Sequence, residues 1–141
     1  MTSIFDRFPM PSASVLLGWH LIALDKERAE VEIGFTADDR FLNPAGHVQG
    51  GFVAAMLDDT LGPALFASTD GQVYAPTISL TTNFIAPALP GAFTGKARVV
   101  SRGKTIVFLS GELYDARGTL VARATATARA MPGPMAAKSE A

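Results

Sequence analysis

The pattern of hydrophobic and polar positions divides the chain into a hairpin, one long apolar stretch and a second group of strands. Residues 15–25 are rich in Leu, Ile and Trp, and residues 29–35 alternate apolar with polar, which predicts an antiparallel hairpin with one face toward solvent. Residues 52–66 are apolar over more than half of the circumference of a helix. We expect this helix to end near Ser68 and to kink or break at Gly62–Pro63, because Pro63 lacks an N–H and crowds the preceding turn.

The remaining strands follow the helix and are separated by short turns. They are predicted at residues 76–85, 93–101, 105–114 and 120–131. In the last of them every second residue from Ala122 to Ala128 is alanine, and such a row lets a helix approach closely. A single helix is mostly buried only if a curved sheet wraps it. The sequence therefore predicts an α+β fold with one long central helix wrapped by a curved antiparallel sheet of about five to six strands.

The length and the chain ends define the domain organisation. A chain of 141 residues builds one domain with a real core and is too short for two ordinary ones. We assign the single domain to residues 15–131. Residues 1–14 contain Pro9 and Pro11 and are expected to form an arm with little regular structure, and residues 132–141 lack a core-forming pattern and are expected to be disordered.

Composition and charge exclude several function classes. Hydrophobic residues make up 48% and charged residues 18%, and the net charge of -1 gives no long-range attraction to nucleic acid or to an anionic membrane. The chain has no cysteine, and only His20 and His47 remain for a histidine-based metal site, so we expect neither a metal nor a cofactor. Without an apolar run of about 18 residues or a secretory signal, a cytoplasmic location is expected.

The helix begins at a pair of glycines, Gly50 and Gly51. Glycine lets a substrate approach the backbone N–H groups that lack partners in the first turn, and the helix dipole attracts developing negative charge there. The Gly50 N–H is therefore a candidate oxyanion donor. The simpler interpretation is that the two glycines only permit a tight entry into the helix.

Asp58 and Asp59 are unusual because they interrupt an almost uncharged helix, where a carboxylate costs free energy unless it is paired or used. Asp58 is flanked by small and apolar residues, so we expect desolvation to raise its pKa and make it a general base or a nucleophile. An ordinary buried aspartate bonded to the backbone is the alternative. Asp59 borders the same stripe of small side chains and competes for the role.

Several of these residues together resemble a known family. Asn43-Pro-Ala-Gly46, Gly50–Gly51, Asp58 and the strand end Asn83-Phe-Ile-Ala-Pro87 are similar to the motifs of the PaaI-like acyl-CoA thioesterases, which have the hotdog fold, and the likeness runs over residues 29–130. The resemblance implies a metal-free thioester hydrolase for small aromatic or short- to medium-chain acyl-CoA. It favours Asp58 over Asp59 as the catalytic carboxylate and leaves Asp59 a capping or interface role. It also places Thr77 where a hydroxyl orients the attacking water, and the alternative is an ordinary strand threonine without a role in the site.

The chain departs from the family at Gln49, which stands where the family has a histidine, whereas His47 lies two residues earlier. A glutamine amide donates a hydrogen bond but carries no proton at neutral pH, so it can orient a thioester without acid–base chemistry. This departure keeps open an alternative function, a non-catalytic acyl-CoA-binding hotdog protein. A dehydratase is disfavoured because its Asp/His pair has no match in the sequence.

Other polar residues have two readings each. Asn43 is expected to hold the loop or the substrate carbonyl, although Asn-Pro is also a common turn opening. Arg102 and Lys104 lie on a tight basic turn and are candidates for binding the phosphates of coenzyme A, or are simply solvated charges. His20 is expected to be a packed or surface residue and His47 a loop residue near the mouth of the site.

The helix geometry also predicts an assembly. At about 1.5 Å per residue, Asp58 lies roughly 12 Å along the axis from Gly50, so the two cannot act on one thioester within a single chain. We therefore expect a homodimer, with a dimer of dimers as an extension, in which Asp58 and Thr77 of one chain face Asn43, Gln49 and Gly50 of the other. The family resemblance implies the same arrangement.

Overall fold

A computed structural model describes residues 2–136 of the chain. It contains two helices, a six-stranded sheet and a small two-stranded ribbon within that range. Short 3-10 turns cover Ile4–Arg7 and Asp39–Phe41. The helices are α1, Ser12–Leu17, and α2, Gly50–Ser68. The strands are β1 His20–Asp25, β2 Glu30–Ala37, β3 Val73–Tyr74, β4 Thr77–Phe84, β5 Gly91–Arg102, β6 Ile106–Asp115, β7 Leu120–Arg129 and β8 Met131–Pro132.

The large sheet has the order β1-β2-β5-β6-β7-β4, and all of its neighbouring strands are antiparallel. Helix α2 packs against one face of this sheet and contacts β2, β4, β5, β6 and β7. The predicted α+β fold of one long helix on a six-stranded antiparallel sheet is confirmed. Strands β1 and β4 form the two edges, and β3 pairs with β8 in the separate ribbon.

The core lies between α2 and the sheet, and small residues on the sheet let the helix come close. Ala122, Ala124, Ala126 and Ala128 of β7 are all buried, as the alternating alanines predicted. At Gly95 of β5 an added Cβ would collide with the hydroxyl of the buried Thr60. Larger side chains at these positions would push the helix off the sheet, at a cost of roughly 1–3 kcal/mol each.

One boundary prediction is wrong, and one expected break in a helix is absent. Val15–Leu17 are helical rather than part of the first strand, because α1 buries Ser14 and Leu17, three positions apart, and ends at Gly18 with a positive φ of 70°. Helix α2 ends at Ser68, where the sequence predicted its end, and it runs unbroken through Pro63, where a kink or break was expected. The carbonyl of Asp59, which Pro63 cannot bond, instead accepts a hydrogen bond of 2.9 Å from the indole N–H of Trp19.

The described parts of both chain ends contain more regular structure than the sequence suggested. The N-terminal arm packs on α2 through Phe5, whose ring centroid lies 5.0 Å from that of Trp19 and 5.8 Å from that of Phe66. The beginning of the predicted disordered tail is hydrogen-bonded, since Pro132 belongs to β8 and the Gly133 N–H donates to the Gln72 carbonyl at 2.8 Å. Residues 137–141 of that tail lie outside the described residues. In the described chain, neither helix has the length and apolar character needed to span a membrane.

Candidate active site

The side chains of Asp58 and Thr77 meet at the edge of the sheet. The Thr77 hydroxyl donates a hydrogen bond of 2.8 Å to Oδ1 of Asp58. Asp58 is exposed in the single chain, so the desolvation expected from the sequence is not supplied by this chain alone. The pair combines a carboxylate with a hydroxyl that can hold a water molecule beside it.

A β-bulge aims Thr77 at the helix. The pairing of β4 with β7 shifts between Thr77 and Ser79, so that Thr77 lies opposite Ala128 while Ser79 lies opposite Thr127. Because directly paired residues share a face, Thr77 faces the helix together with Leu80, whereas simple alternation would have put it on the outer face with Ser79. The extra residue is Ile78, whose exposed fraction is 59%.

The helix start carries the second group of candidate residues. Gly50 is the first residue of α2, and no acceptor within residues 2–136 bonds its N–H. The Phe84 ring covers it, because a Cβ added to Gly50 would lie 3.1 Å from that ring. Gln49 precedes the helix with an exposed side chain that makes no capping hydrogen bond. Its amide is therefore free to meet a ligand.

Asn43 organises the loop before the helix. Its side-chain oxygen accepts hydrogen bonds from the N–H groups of Ala45 at 2.9 Å and His47 at 3.1 Å, and its own N–H donates to the His47 carbonyl at 2.7 Å. These contacts match the loop-holding role considered for Asn43. Asn43, His47, Gly50 and Phe84 also line a cavity of about 380 Å³ at the end of β4.

The two groups of residues lie far apart in one chain. Thr77 is the first residue of β4, and Phe84, which covers Gly50, is the last. Seven steps of about 3.3 Å along a strand separate these ends by about 23 Å, and Asp58 lies about 12 Å along α2 from Gly50. The structure thus brings Asp58 to Thr77 and Gly50 to the Asn43 loop, but it does not bring the two groups together.

Asp59 points away from Thr77 and toward the N-terminal arm. Its Oδ2 accepts a hydrogen bond of 2.7 Å from the Ser14 hydroxyl, so it ties α1 to α2 rather than capping a helix. Burial raises the pKa of Asp59 to about 6, the charge of Asp58 adds to the rise, and the Ser14 hydrogen bond opposes it. Ser14 and Trp19 were not predicted as partners of Asp59. They precede it by 45 and 40 residues in the sequence.

The remaining candidates lie outside these two groups. Arg102 and Lys104 are exposed around the β5–β6 turn, and Arg102 belongs to the same cross-strand row as Thr77, through Val107 and Ala128. Three strand spacings put the Arg102 and Thr77 backbones about 14 Å apart. His20 packs its ring over Gly34. Within residues 2–136, no three His, Asp or Glu side chains group closely enough to hold a metal ion.

Comparison with known proteins places this architecture in a class. The profile of the Thioesterase superfamily matches residues 45–122, which include the helix start, Asp58, Thr77 and Phe84. The chain belongs to the thioesterase superfamily. The predictions of a hotdog fold and of a PaaI-like thioesterase family are thereby confirmed, and membership supports the prediction that the chain is a hydrolase.

Individual relatives agree with this class. A Saccharolobus solfataricus protein named as a candidate esterase is 34% identical over 104 residues, which cover 74% of this chain and 72% of the relative. A candidate thioesterase from Ralstonia eutropha JMP134, described as phenylacetic acid degradation-related, shares 37% identity with a TM-score of 0.84, covering 89% of this chain and 95% of that one. A Streptococcus mutans protein solved with acetyl-CoA has the same fold, with 19% identity, a TM-score of 0.73, and coverage of 82% and 90%.

Proposed function

We propose that the protein hydrolyses the thioester of an acyl-CoA with a small aromatic or short- to medium-chain acyl group, at a site built from two copies of the chain. The observation that carries this proposal is the Thr77–Asp58 hydrogen bond of 2.8 Å beside an unpaired sheet edge. Membership of the thioesterase superfamily supplies the class of reaction. Binding of acetyl-CoA by a protein of the same fold supports coenzyme A as the carrier.

The edge strand supports the assembly. Within the described residues β4 pairs with β7 on one side only, and its exposed apolar residues include Ile78 and Phe84, at 59% and 57%. An edge of this kind is a template for pairing with another strand. If β4 pairs antiparallel with β4 of a second copy, Thr77 of one chain lies near Phe84 of the other. Asp58 and Thr77 then face Gly50, Gln49 and Asn43 of the second copy across one thioester.

In the proposed mechanism the carbonyl oxygen of the thioester accepts a hydrogen bond from Gly50 N–H at the positive end of α2. Asp58 takes a proton from a water that Thr77 orients, and the water oxygen bonds to the carbonyl carbon. The negative charge that develops on the carbonyl oxygen is stabilised by Gly50. When the C–S bond breaks, the thiolate of coenzyme A takes the proton back from Asp58. Direct attack by the Asp58 carboxylate is the alternative first step.

Gln49 and the basic turn have supporting roles in this proposal. The Gln49 amide, exposed beside Gly50, orients the thioester without exchanging a proton. Arg102 and Lys104 contact the phosphates of coenzyme A, since both are exposed near the Thr77 end of the sheet. A dimer of dimers remains compatible with this site, and a cytoplasmic location remains a prediction.

Gln49 in place of histidine is the observation that favours a second candidate, a domain that binds acyl-CoA without cleaving it. A thiol-release assay over a panel of acyl-CoAs, with a chelator present, separates the two. The thioesterase proposal expects release of coenzyme A from at least one substrate by the wild type and its loss in Asp58→Asn. Binding of acyl-CoA without any release across the panel would favour the binding protein instead.

A further inference from the structure

A cavity lies between the N-terminal arm and helix α2, and Asp59, the neighbour of Asp58, lines it. The volume of this arm cavity is about 190 Å³, and Ser14 and Asp59 are its polar lining. Its apolar lining includes Phe8, Met10, Pro11, Trp19, Pro63 and Phe66. An apolar cavity of about 150 Å³ is large enough to bind benzene. The arm cavity therefore has room for one aromatic ring or a short alkyl chain.

The arm cavity adjoins the candidate catalytic carboxylate. Asp59, which lines it, directly follows Asp58, and their Cα atoms are about 3.8 Å apart. The two side chains leave the helix about 100° apart, so Asp58 faces Thr77 while Asp59 faces the arm. The charge of Asp58 also contributes to the raised pKa of Asp59, which reflects this proximity. The arm cavity therefore lies next to the helix position that carries Asp58.

We propose that the arm cavity binds the distal end of the acyl group, and that Asp59 makes it select uncharged ends over ends that carry a carboxylate. This proposal rests on the proposed thioesterase function. The apolar lining favours a ring or an alkyl chain by removing its surface from water. A second carboxylate beside Asp59 is repelled in a half-buried setting, where like charges interact more strongly than in water.

The occupancy of the arm cavity can be measured without any catalysis. Trp19 is the only tryptophan of the chain and lines the cavity, so its fluorescence reports on a heavy atom placed there. The probe is the non-hydrolysable thioether S-[2-(4-bromophenyl)ethyl]-coenzyme A, with its bromine-free twin and coenzyme A alone as controls. We expect saturable quenching by the brominated probe of at least about twofold, and none by the controls. Absence of saturable quenching from a probe that binds would overturn the proposal.

The charge selection is tested with hexanoyl-CoA and adipoyl-CoA, which have the same chain length and differ by a terminal carboxylate. At pH 8, above the pKa of about 6 for Asp59, we expect wild-type kcat/KM to favour hexanoyl-CoA by about a hundredfold or more. Asp59→Asn should reduce this preference at least about tenfold, and Asp59→Glu should retain it. Val15→Ala, at an exposed residue of α1 outside the cavity lining, is the matched control.

The outcomes separate this proposal from the proposed function. An unchanged preference in Asp59→Asn would overturn the role of Asp59. Quenching by the brominated thioether without hydrolysis of any acyl-CoA would overturn the thioesterase function while supporting the arm cavity as the acyl site. Hydrolysis without quenching would support the thioesterase function and overturn the arm cavity as the acyl site.

Discussion

Thr77 reaches Asp58 because β4 contains one extra residue. The hydroxyl and the carboxylate are joined at 2.8 Å, yet by simple alternation from Ser79 the Thr77 side chain would lie on the far side of the sheet. Bulges of this kind re-aim side chains and are common next to active sites. The contact therefore depends on the number of residues in the strand as well as on the two side chains.

Replacing Asp58 by Asn should lower turnover by roughly a hundredfold or more, because the amide can neither accept a proton nor attack the carbonyl carbon. Asp59→Asn should lower turnover of an uncharged substrate much less, since Asp59 faces Ser14 rather than Thr77. Steady-state thiol release by the two variants measures both effects. Equal losses, or the reverse order, would show that the wrong carboxylate was chosen.

Deleting Ile78 should reduce activity about as much as Thr77→Ala does. The deletion removes the bulge and turns the Thr77 hydroxyl away from Asp58, while the pairing from Ser79 onward can persist. Ser79→Ala, on the outer face of the same strand, is the control and should retain activity. The comparison needs thiol-release rates together with circular dichroism. A well-folded deletion variant with full activity would exclude a role for the Thr77–Asp58 contact.

Replacing Gln49 by His should leave activity within about one order of magnitude if Gln49 only orients the thioester, because an imidazole can donate a similar hydrogen bond. The measurement is kcat and KM for one good substrate in both proteins. A much larger gain would mean that glutamine had disabled the site and would favour the acyl-CoA-binding function for the natural chain.

Mixing two inactive variants tests the two-copy site. If Asp58→Ala and Asn43→Ala are each inactive, joint refolding in equal amounts makes about half of the dimers mixed, each with one intact and one doubly damaged site. About a quarter of wild-type activity should return. Lack of recovery despite verified subunit exchange would place Asp58 and Asn43 in one chain's site.

Asp59→Asn should raise the melting temperature at pH 7.5 by a few degrees. Burial raises the pKa of Asp59 from 3.8 to about 6, so between these values the folded chain holds a proton that the unfolded chain has released. The stability from this group is therefore complete below about pH 4 and is lost as the pH rises through about 6. Partial solvent exposure keeps the effect small.

Asparagine cannot ionise and still accepts the Ser14 hydrogen bond, so it avoids that loss. Calorimetry at pH 4 and pH 7.5 should show the variant's advantage at the higher pH and little difference at the lower one. A pH-independent difference would argue against a raised pKa.

The order of the main helices and strands could be predicted from hydrophobic periodicity, because the pattern of each element lies within its own segment of the sequence. Alternation over residues 29–35 and the alanines of β7 predicted strands that the structure contains, and the apolar stretch from Phe52 predicted α2. The strand predicted at Val15–Leu17 was wrong because a short apolar run is compatible with a helix as well as with a strand. Gly18, with its positive φ, ends α1 and starts the turn into β1, and the hydrophobic pattern carries no signal for this turn.

The arrangement around the site depended on contacts that local patterns do not encode. The spacing in the family motif singled out Asp58 and Thr77, but the bulge at Ile78 depends on the register with β7. The partners of Asp59 come from the arm, which the sequence analysis set aside as irregular. Hydrogen bonds across 40 residues or more leave no periodic signal in the sequence.

The exposed edge of β4 also bears on how the protein is made in a cell. A newly folded single chain presents an open row of backbone N–H and C=O groups flanked by Ile78 and Phe84, which is the kind of surface that aggregates with other nascent chains. Pairing with a copy would hide this hazard at the same moment as it completes the proposed site. Selection against aggregation would then preserve the pairing of β4 even in a relative that had lost its enzymatic activity.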